Sequence, residues 1–177
     1  IPKTIEDGWR AFSDSNIETA EFEEGITKIP NRIFLEATKL KNVKMPDTVT
    51  EFEDGTFESC TSLETIKIPE FVTKIGESAF SGCTLLKTIK IPEFVTNIGG
   101  SAFKGCTALE TINLSDSITE IGASAFSGCK NLSAFKLPPN ITTLGGWVFS
   151  GCESLKEIYI PKTIEDGWRA FSDSNIE

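Results

Sequence analysis

The sequence contains no histidine, one methionine and one tyrosine. Without histidine the chain cannot build a Ser-His or Cys-His nucleophile pair, an imidazole metal site or the usual proton shuttle near pH 7. Basic residues are also scarce: 17 Lys and Arg stand against 26 Asp and Glu, and the net charge is −9. This balance argues against a general electrostatic grip on nucleic acid or acidic membranes. No run approaches the ~18 consecutive apolar residues of a membrane-spanning helix, so we expect no membrane insertion.

Phenylalanine, in contrast, is frequent and regularly spaced. Steps of 22 or 23 residues separate Phe12, Phe34, Phe57, Phe80, Phe103, Phe126, Phe149 and Phe171. Each of the five cysteines lies three residues after one of them, at Cys60, Cys83, Cys106, Cys129 and Cys152. Self-similarity at a fixed period of this size is typical of repeat architectures. Because 39% of the 177 residues are hydrophobic, the chain can bury a core, and we predict that one unit is copied along its length.

One repeat contains a short strand followed by turns. Ile66 and Ile68 alternate with polar residues, the period expected of a strand with one buried face, and Pro69 ends it. The apolar residues from Val72 to Cys83 are irregularly spaced, and glycines break them into a turn and the end of a helical or 3-10 turn. A unit of this size cannot bury its apolar face alone, so stacked neighbours must share one core. We predict a solenoid with a parallel sheet down one side.

The repeat pattern LxxIxIPxxVTxIGxxAFxGC, seen from Leu63 to Cys83, resembles the BspA-like family of bacterial and protozoan surface leucine-rich repeat proteins. The resemblance implies a right-handed leucine-rich-repeat superhelix with coils of about 23 residues. It implies a parallel β-sheet on the concave face and short turns or 3-10 segments on the other side. It also implies an extracellular or cell-surface location and a role in adhesion or protein binding. Local departures include Ala37, which takes the cysteine position after Phe34.

A second periodicity joins the two ends of the chain. The segment from Ile1 to Glu18 is identical to that from Ile160 to Glu177, and the offset between the two copies equals two steps of 22 plus five of 23. We therefore predict one uncapped solenoid over 1–177, in which 1–159 is a super-repeat of seven coils and 160–177 begins the next block. A longer natural array, one period of a filament and an engineered chain each explain the duplication. Either continuation in the same chain or end-to-end stacking would cover the open ends.

The five cysteines are predicted to form a structural ladder of small buried residues. A disulfide between neighbouring coils is the first alternative, but an odd number of cysteines and their parallel side chains disfavour it. A metal site is the second, and cysteines that lie a whole repeat apart, with no histidine in the chain, disfavour it. We expect neither a metal nor a cofactor.

Two surface groups are candidate contact sites. The outward column of the strand contains Lys44, Lys67, Lys90, Lys136 and Tyr159, which we predict to bind a ligand on the concave face. The alternative is that these lysines splay toward nearby carboxylates and keep the face soluble. Phe71 and Phe94 replace small or polar residues of other repeats, and with Trp147 they form a predicted contact patch. The alternative is that the two phenylalanines fold back over neighbouring prolines.

The triplets beginning at Asn113, Asn131 and Asn140 match the N-glycosylation pattern and are possible modification sites. No phosphate loop, nucleophile elbow or zinc-protease helix occurs in the sequence, so we predict no catalytic residues. The leading hypothesis is a non-enzymatic, extracellular structural or adhesive scaffold that continues end to end as a tandem array or filament. Its partners are itself and host or matrix proteins or glycans. The alternative is a discrete recognition module that binds a protein or glycan on its concave face.

Overall fold

Each coil contributes short strands that pair in parallel with the same segments of neighbouring coils. The structure is a computed structural model that describes residues 1–2, 4–5, 8–164 and 168–174. The strands are β1 (Thr19–Glu21), β2 (Lys28–Ile29), β3 (Asn42–Lys44), β4 (Glu51–Phe52), β5 (Lys74–Ile75), β6 (Thr88–Lys90), β7 (Asn97–Ile98), β8 (Thr111–Asn113), β9 (Glu120–Ile121) and β10 (Thr143–Leu144). A 3-10 helix covers Trp168–Phe171. Within these residues no helix has the length and apolar character needed to cross a bilayer.

The strands form one continuous parallel sheet and two small ones. The six-stranded sheet has the order β10-β9-β7-β5-β4-β2, and its register advances by one coil per strand, as in Lys74 opposite Asn97. The small sheets pair β1 with β3 and β6 with β8. This arrangement of coils of about 23 residues confirms the predicted leucine-rich-repeat solenoid.

The position of the continuous sheet differs from the sequence-based expectation. The alternating pattern predicts it at the segment equivalent to Ile66 and Ile68, but residues 63–69 contain no strand. At that position the described part of the chain forms β1, β3, β6 and β8, together with one isolated parallel bridge between Thr111 and Ala134. The continuous sheet lies instead in the segment equivalent to Lys74–Ile75, for which the sequence predicts turns. A strand of two residues is too short to show an alternating pattern in the sequence. Only its pairing with the next coil identifies it as a strand.

The turn that follows carries a third set of contacts between coils. The backbone N–H groups of Ser78, Phe80 and Gly82 donate to the next coil over 2.7–2.9 Å, whereas those of Ala79 and Ser81 donate within their own turn. The φ angles of Ser78 and Gly82 are 53° and 74°, so left-handed residues flank Phe80 and allow a sharp turn there. Alternate peptide groups are thereby satisfied within one coil and between coils.

The core is a stack of phenylalanine rings along the axis of the coils. The Phe80 and Phe103 ring centroids are 5.3 Å apart with an interplanar angle of 3°, and those of Phe103 and Phe126 are 5.4 Å apart at 1°. These rings are fully buried, and offset stacking adds stabilisation beyond the burial of area. The repeated phenylalanines therefore form one continuous column and not separate small cores.

Candidate interaction surfaces

The five cysteines lie inside the stack, and all of them are free thiols. Each Sγ donates to the backbone carbonyl of the core phenylalanine in the preceding coil, for example Cys106 to Phe80 and Cys129 to Phe103, both at 3.1 Å. The same position in an earlier coil is Ala37, also fully buried. A small side chain is thus required there, and cysteine adds a weak hydrogen bond.

Burial controls the ionisation of these thiols. Loss of hydration raises the pKa of Cys60, Cys106 and Cys152 to about 12 from 9.0, and raises the pKa of Cys83 and Cys129 well above that value. Because the thiolate is the nucleophile and the metal ligand, these cysteines suit a structural position. Among the residues that the structure describes, no group of three acidic, cysteine or histidine side chains could hold a metal ion.

We expect the folded protein to resist thiol labelling. At pH 8, a maleimide or an aromatic disulfide reagent should modify the native chain at least ~100-fold more slowly than the chain in denaturant, since both access and thiolate formation are suppressed. Labelling in denaturant is the matched control and should reach all five cysteines. Rapid modification of the native chain at any one cysteine would contradict its buried position.

The predicted lysine column lies on the surface, and cavities open between its coils. A cavity of about 330 Å³ lies between the Lys44 and Lys67 coils, with Val43 and Met45 among its lining residues. A second cavity of about 280 Å³ lies between Lys67 and Lys90. Each cavity therefore has an apolar floor between two lysines. Tyr159, at the far end of the column, is 72% exposed.

Few carboxylates neutralise the lysine column. Lys44 pairs with Glu21 at 3.7 Å, and Lys90 pairs with Glu70 at 3.9 Å; all four side chains are well exposed. Within the described part of the chain, Lys67 and Lys136 form no ion pair. A neighbouring column behaves differently, because its charges alternate from coil to coil: Lys41 pairs with Glu18, and Lys87 with Glu64. The lysine column is thus compensated at Lys44 and Lys90 but not at Lys67 or Lys136 in the described part of the chain.

An acidic column runs parallel to the lysines, and it was missed from the sequence. It consists of five exposed residues in successive coils: Glu24, Asp47, Glu70, Glu93 and Asp116. Each lies three positions after the corresponding member of the strand column. Alignment of the repeats by their phenylalanines would have revealed it, because the five acids occupy one position of the repeat. We call the two groups the lysine stripe (Lys44, Lys67 and Lys90) and the acidic stripe (Glu24 to Asp116).

The predicted aromatic patch is divided between two places on the chain. The rings of Phe71 and Phe94 stack on each other, with centroids 5.9 Å apart at 23°, and each residue is 56% exposed. They adjoin the acidic stripe in sequence. Trp147 lies several coils away and is 46% exposed, with a left-handed φ of 58°. The contact role of all three residues stays a prediction.

The three candidate glycosylation asparagines are exposed. Asn113 ends β8, and Asn131 lies in a turn. The side-chain amide of Asn140 donates to the carbonyl of Asp116 over 2.9 Å. Modification of these residues stays a prediction, which mass spectrometry of the natural protein would settle.

The two copies of the duplicated segment contact the stack from opposite sides. In the first copy, the N–H groups of Phe12 and Asp14 donate to the following coil, both over 2.9 Å. In the second copy, the carbonyls of Arg169 and Asp173 accept from the preceding coil over 2.7 and 3.0 Å. The atoms used by one copy therefore differ from those used by the other.

Local structure in the two copies is not identical, but their place in the core is. Residues 9–14 of the first copy form turns, whereas the 3-10 helix covers Trp168–Phe171 in the second. Both copies nevertheless extend the ring column: Phe12 stacks on Phe34 at 5.8 Å, and Phe171 stacks on Phe149 at 5.7 Å. Part of the identical sequence lies outside the described residues.

Comparisons with known proteins agree with this architecture. The family model described as the BspA type leucine-rich repeat region, in six copies, matches residues 2–87 and 86–177. A leucine-rich repeat protein of T. pallidum is similar in structure at 28% identity, with a TM-score of 0.76, over 83% of this chain and 69% of that chain. One from Bacteroides ovatus is similar at 30% identity, with a TM-score of 0.67, over 91% of this chain and 50% of that chain. No curated protein matches the sequence.

Proposed function

The chain belongs to the BspA-type leucine-rich repeat family, and from this premise we propose that it is a non-enzymatic structural or adhesive scaffold that continues end to end as a tandem array or filament. The proposal places it outside the cell or on the cell surface, in keeping with the family resemblance. Its function depends on stacking: each coil covers the apolar face of the next, and the array can lengthen without a new kind of contact.

One observation carries the proposal. The same duplicated segment makes the contacts of a lower coil at one end of the chain and of an upper coil at the other. Phe12 covers one side of the ring column and its copy Phe171 covers the other. A single copy placed between two blocks can therefore contact both of them, because the two sets of hydrogen-bonding atoms do not overlap. Head-to-tail contacts that do not close on themselves produce fibres.

A two-block chain tests whether the stack is continuous. Residues 1–159 followed directly by residues 1–177 should form one rod roughly 70 Å long, since parallel coils rise by about 4.8 Å. Small-angle X-ray scattering and electron microscopy measure this length. The control carries Phe12→Asp in its second block, which places a charge in the ring column, and it should behave as two rods joined by a loose connection. If the unsubstituted chain also gives two independently oriented rods, the array proposal fails.

The lysine column favours a second candidate function. The two cavities between its lysines combine apolar floors with rims that carry two lysines and one carboxylate each, Asp47 in one and Glu70 in the other, a chemistry suited to a protein or a glycan. In this alternative the chain is a discrete recognition module. Arrays of immobilised glycans and matrix proteins, probed with the labelled chain and with its Lys67→Glu, Lys90→Glu variant, test it. Equal binding by both chains would remove the lysine column from consideration.

A further inference from the structure

The lysine and acidic stripes are two parallel rows of opposite charge with the same spacing. Successive members of each stripe lie one coil apart, because each stripe occupies a single position of the repeat. Members of each row are about 4.8 Å from the next coil, and like charges at such a distance repel by on the order of 1 kcal/mol in water. An isolated chain therefore carries one column of positive charges beside one column of negative charges, and the members of each column repel one another.

The two stripes do not neutralise each other within one chain. Neither Lys44 nor Lys67 forms an ion pair with the acidic stripe in the described part of the chain, and Lys44 pairs with Glu21 instead. Lys90 and Glu70 form a bridge between the stripes at 3.9 Å, and such exposed pairs contribute little. Asp47, Glu93 and Asp116 form no ion pair in the part of the chain that the structure describes.

We propose that this face binds a second copy of the chain, side by side and parallel, with the lysine stripe of each copy against the acidic stripe of the other. A two-fold axis between the chains and parallel to the stack produces this match, since it exchanges the stripes and keeps the direction of the stack. Lys67 then faces the second copy's Glu70. By the same symmetry, Lys44 faces the second copy's Asp47 and Lys90 faces its Glu93.

Shape and aromatic groups support the same arrangement. The cavities between the stripes give both copies an apolar centre, formed by residues such as Met45 and Pro69 in one cavity and Ile66 and Pro92 in the other. Phe71 and Phe94 border the acidic stripe, and each is 56% exposed although their rings stack on each other, so they add apolar area beside the charges. Charge complementarity of this kind sets partner choice and register more than affinity.

This pairing is lateral and is distinct from the end-to-end continuation proposed above. A two-fold contact closes on itself and stops at two chains. End-to-end contact does not close, and it gives assemblies of three, four and more chains. Failure of either proposal therefore leaves the other intact.

Light scattering after size-exclusion chromatography measures the pairing. At 25 mM salt the unchanged chain should have the mass of two chains, and at 500 mM salt the dissociation constant should rise at least ~10-fold, because the interacting charges are exposed. The Lys67→Glu, Lys90→Glu variant and the Glu70→Lys, Glu93→Lys variant should each be monomeric, since each places like charges opposite one another. A chain that is monomeric at 25 mM salt overturns the proposal.

A mixture of the two charge-reversed variants provides the most specific test of the facing pairs. The two charge-reversed variants should pair with each other at least as tightly as the unchanged chain pairs with itself, because every facing position then has opposite charges. Replacing the first variant by Lys44→Glu, Lys67→Glu leaves some like charges opposed in this register, and its mixture should be weaker. The matched control is Lys74→Glu, Lys104→Glu, which makes the same charge change on other faces and should keep the pair. Loss of pairing in the control, or no recovery in the matched mixture, overturns the proposal.

Discussion

Phe103→Ala should lower the free energy of unfolding by about 4 kcal/mol, the usual cost of truncating a fully buried aromatic residue. Phe103 is fully buried between Phe80 and Phe126, whose ring centroids lie 5.3 and 5.4 Å from its own. Truncation removes both stacking contacts and leaves a cavity in the middle of the column. Urea denaturation followed by circular dichroism measures the loss.

The matched control for this change is Phe94→Ala. Phe94 is the same residue type in a neighbouring position of the sequence, but it is 56% exposed and stacks on Phe71 alone. We expect its loss to cost less than about 1 kcal/mol, because little apolar area is removed from the core. Comparable losses from the two substitutions would mean that the ring column does not hold the coils together.

Gly122→Ala should lower the free energy of unfolding by about 3 kcal/mol, at the upper end of overpacking effects. A Cβ at Gly122 would lie 2.5 Å from the backbone nitrogen of Gly100 and 2.8 Å from its Cα. These neighbours are backbone atoms of the adjacent coil and cannot rotate away. The substitution therefore forces two coils apart directly after β9, a strand that is paired on both sides in the six-stranded sheet.

Gly100→Ala serves as the control, because it adds the same methyl group near the same contact. The nearest atom to its Cβ would be the carbonyl oxygen of Ala123 at 3.5 Å, an ordinary contact. We expect no loss, and a gain of up to about 1 kcal/mol from the reduced freedom of the unfolded chain. A stable Gly122→Ala protein with an unchanged urea midpoint would show that the coils are not in close backbone contact there.

The sequence determined the solenoid because each copied residue meets the same surroundings in every coil. The recurrence of Phe80 and its equivalents predicted one column of rings, and the cysteine spacing placed Cys83 and its equivalents together at one position. The strand over Ile66 and Ile68 shows the limit of this reasoning. An alternating pattern indicates which side chains point inward, but pairing also depends on the distance to the next coil, which the pattern does not encode.

The candidate surfaces also combine features that the sequence predicts with features that only the structure shows. The lysine column follows from the repeat frame alone, and the acidic stripe carries the same signal, because its five members also share one position of the repeat. The sequence offers pairing of the lysines with nearby carboxylates as one alternative, but it does not show which pairs form, since Lys90 and Glu70 belong to neighbouring coils and their separation of 3.9 Å depends on how those coils are spaced. The stacking of Phe71 on Phe94 is likewise a relation between coils.

By itself, the amino-acid order determined the period, the identity of the buried positions and the duplication of the segment from Ile1 to Glu18, because these are properties of the chain in one dimension. Tertiary structure alone decided which segment forms the continuous sheet, where cavities open between coils and which charges remain uncompensated. All three depend on the spacing between neighbouring coils, and that spacing is set by close backbone contacts such as the one at Gly122.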